Sequence, residues 1–296
     1  MASSSSSARE KKKIKFIVTG FGPFHGVKNN PTTIIAEKLV DFLKQQQQQL
    51  QQQESSSDDL LLSKTIADNT RTLVLETSVE DVQRQVDQIY DDICKEEQEE
   101  QEQEKQTSTS TSTTVTILLH LGVHYGAQKF HIESCAYNNA NFRTSDERGF
   151  QPTNEPITPS YELEAAFETA LDVNELLSSA AALLLLPEGS DNRICTNGDN
   201  DGGDGDNDKG TLLHSEQLAA TISNDPGRFV CNYTYCYSMH KFGCSRSING
   251  QECSSISNKT RCLFLHVPQF TIVPEQEQLT FVAKLMTAIY EQALNL

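Results

Sequence analysis

The sequence lacks any apolar run of the ~18–20 residues that a membrane span requires; the stretch from Ala180 to Leu186 is too short. It shows no secretory leader, because the Ser-rich start and Lys11 to Lys13 lead straight into a strand-like run without a long apolar core. No basic stripe exists to meet phosphates, which argues against nucleic acid as a partner. The eight cysteines have no paired spacing. With no leader, they fit free thiols in a reducing compartment, and the expected location is the cytosol. The sequons at Asn232 and Asn258 then read as chance matches. Hydrophobic residues make up only 36% of the chain, but the deficit is local. The windows 54–59, 96–104 and 199–208 hold 3, 6 and 5 acidic residues without Lys or Arg, and so carry 14 of the 17 net negative charges. The rest is close to neutral, so the acidity belongs to insertions.

What is present is an alternation of strand and helix patterns. Strand-like runs lie at Ile14 to Thr19, Thr70 to Thr77, Val115 to Val123, Leu218 to Ile222 and Cys262 to Val267. Helical spacing follows Asn30-Pro31, an N-cap and N1 pair, and follows Ser78 and Asp81, which resemble a capping box. Further helices are expected over Val173 to Leu185 with Asp172 as cap, Phe229 to Phe242, and Glu275 to Leu294. This order predicts an α/β three-layer sandwich, a mostly parallel twisted sheet with helices on both faces, in a single domain. Its expected extent is 14–296 after a disordered tail over 1–13. Low-complexity insertions are expected near 45–59, 96–114, 188–210 and 244–260.

The stretch Asp225-Pro226-Gly227-Arg228-Phe229-Val230-Cys231-Asn232 places Cys231 at the start of a helix after a strand and a tight turn. Unpaired N–H groups and the helix dipole favour a thiolate there, although a buried structural cysteine fits the local pattern too. His266 ends the last strand, where Pro268 stops it, and α/β sheets gather ligands at strand carboxyl ends; a core histidine is the alternative. Glu133 lies among apolar residues and needs a partner, which an imidazole would supply; a surface glutamate is the alternative. Zinc at His240, Cys244, Cys253, Cys262 and His266 is disfavoured. The cysteine gaps are too long, and residues four apart on a strand lie ~13 Å apart. The Asp-rich stretch 195–210 lacks the twelfth-position Glu of a calcium loop. Gly20-Phe21-Gly22-Pro23-Phe24 lacks the residues of a phosphate loop, and its two phenylalanines suit an apolar pocket.

Four blocks in order then resemble pyroglutamyl peptidase type I, the pyrrolidone-carboxylate peptidase family of cysteine exopeptidases. They are Val18 to Phe24 with Asn30-Pro31; Glu133 with Ala136, Asn138, Arg143, Asp146 and Gly149; Gly227 to Asn232; and Phe264 to Pro268. Ser134-Cys135-Ala136-Tyr137 departs from the family's usual Arg-Val-Ala-Ile. The resemblance implies Cys231 as nucleophile, His266 as base and acid, and Glu133 orienting His266. It implies Phe21, Phe24, Arg143, Phe229 and Val230 around the substrate, pyroglutamyl peptides as substrates, and no metal or cofactor. A catalytically silent relative, acting as a scaffold through its acidic and Gln-rich tracts, is the alternative. Nothing in the sequence sets an oligomeric state.

Overall fold

A computed structural model describes residues 12–24, 26–27, 29–53, 55–107, 113–182, 220–252 and 259–295. The expected insertion at 188–210, most of the expected tail, and residues 253–258 lie outside the described residues. In chain order the elements are β1 (Lys12–Phe21), α1 (Pro31–Gln52), α2 (Ser57–Asp68), β2 (Thr70–Leu75), α3 (Val79–Thr107), β3 (Thr113–Val123), β4 (Phe130–Glu133) and β5 (Cys135–Tyr137). There follow β6 (Ala166–Thr169), α4 (Val173–Ala182), β7 (Ala220–Ser223), α5 (Val230–Phe242), β8 (Ser245–Ile248), β9 (Gln251–Glu252), β10 (Thr260–Val267) and α6 (Glu275–Asn295).

Local chemistry sets where these helices start. The Asn30 side chain accepts from the Thr32 N–H, and Pro31 opens α1. The Asp172 carboxylate accepts from the N–H groups of Asn174 and Glu175 at the head of α4. Ser78 Oγ accepts from the Asp81 N–H, but Asp81 reaches back to the Glu76 N–H, two residues before the N-cap N–H that a standard capping box would engage.

Two polar tracts are helical, one of them left by the sequence as unassigned or as a frayed extension of the first helix. The glutamine tract continues α1 to Gln52, and α2 follows from Ser57. The Glu/Gln tract, expected as part of a low-complexity insertion, is helical as far as Thr107. Gln and Glu are good helix formers, and Val82, Val86, Ile89 and Ile93 bury the first turns of α3, so propagation from that anchored segment costs little. The ion pairs Lys15–Glu96 at 2.7 Å and Lys259–Glu97 at 3.3 Å tie the helix back to the body.

The main sheet runs β2-β1-β3-β10-β4-β7. Its strands pair in parallel except at the β10–β4 seam, which is antiparallel. A second sheet, β5-β6-β8-β9, is antiparallel throughout. It has no counterpart in the sequence reading. Because successive strand residues face opposite sides, the sheet separates two cores. On one side Phe16, Val18, Leu119, Leu121, Leu263 and Leu265 pack with residues of α1, α2, α4 and α6. On the other, Ile17, Leu118, Cys262 and Phe264 pack with α3, α5 and the second sheet. His266 and Glu133 have the parity of this second side, which is where α5 lies.

Candidate active site

The antiparallel seam assembles one half of the site. Phe264 of β10 pairs with Glu133 of β4, and His266 pairs with His131. On its other edge His266 pairs with Gly122 of β3. Glu133 is therefore the diagonal neighbour of His266 on the same face, within side-chain reach. Its Oε1 lies 2.7 Å from His266 Nδ1. The carboxylate is fully buried, and Oε2 has no hydrogen-bond partner among the described residues. A buried carboxylate so placed needs a cation, and His266 is the group that supplies it.

Helix α5 brings the other half. Gly227, with φ of 78°, takes the left-handed turn that an L side chain resists, and the chain enters α5 with Phe229 as its N-cap. Arg228 holds the turn: its guanidinium bonds Glu164, Asp225 and the Gly227 carbonyl, and it stacks 3.9 Å over the Tyr137 ring. Cys231 then falls in the first helical turn. Phe229 offers no side-chain cap, and the N–H groups of Val230, Cys231 and Asn232 have no acceptor among the described residues. Asn232 locks this turn to the glutamate segment. Its amide accepts from the Tyr137 N–H and donates to the carbonyls of Tyr137 and Asn139.

The two halves meet at the sulfur. His266 interacts electrostatically with Cys231 on one side and hydrogen-bonds Glu133 on the other. Burial opposes the imidazolium, but the bonds and charges of Cys231 and Glu133 outweigh it and raise its pKa to about 9. At neutral pH the imidazole is therefore protonated and faces the Cys231 sulfur. Gly122 makes this approach possible. A methyl group there would sit 3.0 Å from Cys231 Sγ and 2.7 Å from the Phe264 ring.

The expected substrate residues divide into two groups. Phe24 and Phe229 are partly exposed and face each other with ring centroids 6.4 Å apart. Phe142, which the sequence reading did not single out, joins Phe229 edge-on at 4.7 Å. The side chains of Phe21 and Val230 are instead buried in the core on this side of the sheet. Arg143 is exposed and makes no ion pair with a described residue. His120 was missed as well. Its Nδ1 lies 2.8 Å from Thr19 Oγ1 and its Nε2 lies 3.0 Å from Ser238 Oγ, so one ring joins β1, β3 and α5. Burial lowers its pKa to about 3, which keeps the ring neutral. Among the described residues no cluster of three His, Cys, Asp or Glu side chains is placed to hold a metal ion.

No family model matches the sequence, and neither does any curated protein. Solved structures do match. The pyrrolidone carboxyl peptidase of Fervidobacterium islandicum aligns over 94% of this chain and 99% of its own, with a TM-score of 0.55 at 18% identity. That of Thermus thermophilus covers 94% and 99%, with a TM-score of 0.53 at 16% identity. Pyroglutamyl peptidase I of Bacillus amyloliquefaciens covers 96% of this chain and 95% of its own, at 0.53 and 16%. The fold is that of the pyroglutamyl peptidases. The α/β expectation is thus met, with β4 and β7 reversed relative to the other strands and a second sheet added.

Proposed function

We propose that this protein is a cysteine exopeptidase that removes an N-terminal pyroglutamyl residue from peptides. The observation that carries the reading is the chain of contacts from Glu133 through His266 to Cys231, set in a fold shared with pyrrolidone carboxyl peptidases. A nucleophilic thiol requires a base in reach and a group to orient that base, and these three side chains fill those roles. Cys231 attacks the scissile carbonyl as thiolate, with the proton already on His266. The N–H groups at the start of α5 receive the oxyanion. His266 gives its proton to the leaving amine, then takes one from the water that hydrolyses the thioester. Glu133 keeps Nδ1 engaged and stabilises the imidazolium throughout.

The substrate's lactam bears no ammonium group, so its pocket needs no carboxylate. The ring faces of Phe24, Phe142 and Phe229 fit that demand, and Arg143 stands exposed nearby in sequence to Phe142. Phe21 and Val230 belong to the buried cluster that also holds Phe142 and packs against Phe229. A silent scaffold gives no reason for a carboxylate to be buried with His266 as its cation. Free thiols at the six described cysteines agree with a cytosolic enzyme. The test is release of a fluorophore from a pyroglutamyl amide, with the corresponding prolyl amide as control. Turnover of the first alone supports the reading; turnover of neither, by folded protein, ends it.

A further inference from the structure

Gly122, His266 and His131 form a row across three adjacent strands, β3, β10 and β4. Cys231 Sγ sits above Gly122, so the thiol and His131 lie on opposite sides of the His266 ring. His124 follows the end of β3, where its N–H donates to the Val267 carbonyl and prolongs the ladder. Its ring is exposed and turns back over the row, with centroids 5.1 Å from His131 and 5.8 Å from His266. Three imidazoles therefore stand together, and the mechanism uses only one of them.

We propose that His124 and His131 wall the subsite for the residue that follows pyroglutamate, and that this wall selects a carboxylate side chain. The inference rests on the peptidase reading of the same site. The attacked carbon must lie between Cys231 and His266, and the departing nitrogen must meet the His266 proton. The peptide beyond that nitrogen then leaves across His266, away from the sulfur and toward His131 and His124. What it meets is basic. The carboxylate facing both rings is Glu133, which is buried and already bonded to His266.

The selection strengthens in mild acid. Desolvation by burial holds both rings below the ordinary imidazole pKa. His266 also lowers both, His131 lowers His124 further, and Glu133 raises both. They are therefore neutral in slightly alkaline solution and gain charge only on acidification below the ordinary imidazole range, while a glutamate side chain stays ionised down to about 4.3. His266 remains protonated through that window, since its pKa is about 9. Any change in preference there belongs to His124 and His131.

The test compares kcat/KM for the amidated dipeptides pyroglutamyl-glutamate and pyroglutamyl-alanine between about pH 8 and pH 5.5. The glutamate-to-alanine ratio should rise by about fivefold on acidification, a size in keeping with partly screened charge pairs. In His131→Gln and in His124→Gln the ratio should flatten, with the change carried in KM. His240→Gln, a substitution away from the site, should leave the rise in place. A ratio that is flat in the wild type, or that still rises in both variants, overturns the proposal. So does preference for pyroglutamyl-phenylalanine amide over the glutamate substrate at both pH values. Failure to cleave any of these amides would instead remove the peptidase reading itself.

Discussion

The two faces of the main sheet are built for different ends. Beneath α1, α2, α4 and α6 the buried hydrophobic side chains of β1, β3 and β10 are Ile, Leu, Val and Phe, and Phe130 of β4 stacks on Phe281 of α6 at 3.9 Å. Beneath α5 the same strands present Thr19, His120, Gly122, Glu133 and His266, each placed by the alternate parity of a strand. Burying polar groups costs stability unless each finds a partner. Thr19, His120, Glu133 and His266 find theirs in one another, in Ser238 and in Cys231. The first face supplies the stability that lets the second hold a buried charge pair.

Substitutions on the two faces should separate accordingly. The largest effect on turnover is expected from Cys231→Ser, which should lose roughly 10⁴-fold or more in kcat, as removal of a nucleophile does. Cys236→Ser should remain active, because burial raises the pKa of that thiol and places it in the core. His266→Ala should fall nearly as far, and adding Glu133→Gln to it should cost little more, since members of one unit are not additive. Additive losses would mean that Glu133 acts independently of His266.

Gly122→Ala sharpens the comparison at an intermediate level. The added methyl would press on Cys231 Sγ and the Phe264 ring. Turnover should drop about 10- to 100-fold, as small misplacements of reacting groups do, with the circular dichroism spectrum kept. On the opposite face Leu265→Ala should do the reverse. It should cost about 2–5 kcal/mol in denaturant unfolding and leave kcat per folded molecule near wild type. If Leu265→Ala lost activity without losing stability, the division between the faces would fail. The smallest effect is expected at the exposed pair Lys38–Glu275 on the first face. There Lys38→Ala should change stability by less than about 1 kcal/mol.

The charge pair also sets a pH dependence of stability. The pKa of His266 is raised in the folded state from an ordinary 6.5 to about 9. Its contribution is therefore complete below about pH 6.5 and is lost as the pH climbs through about 9. The melting temperature of the wild type should decline over that interval, and that of His266→Gln should decline less.

The sequence showed the site in pieces more readily than it showed the scaffold. Asn30-Pro31, Asp172 and the Gly227 turn are local signals, and each appears in the structure where the residues place it. The helical Glu/Gln tract of α3 was not legible, because good helix formers without apolar periodicity carry no sign of where they pack. Strands β5, β6, β8 and β9 span two to four residues each, too few for alternation to register. His120 and Gly122 were hidden for a third reason. The partners of His120 lie 101 and 118 residues away in sequence, and what Gly122 makes room for is a sulfur on another element. Phe142 likewise gains its meaning only from the ring of Phe229.

The central claim is that Glu133 sustains an imidazolium on His266 and, through it, a thiolate on Cys231. The most direct measurement is the rate of Cys231 alkylation by iodoacetamide against pH, in the wild type and in Glu133→Gln, with the modified residue located by mass spectrometry. Glutamine keeps an acceptor for Nδ1 but removes the charge that holds the imidazolium. Alkylation of the variant should be slower than wild type through the neutral range, and the two should converge in alkaline solution where any thiol ionises unaided. Superimposable profiles would show that Glu133 does not support the ion pair, and the assignment of these three residues as one unit would be wrong.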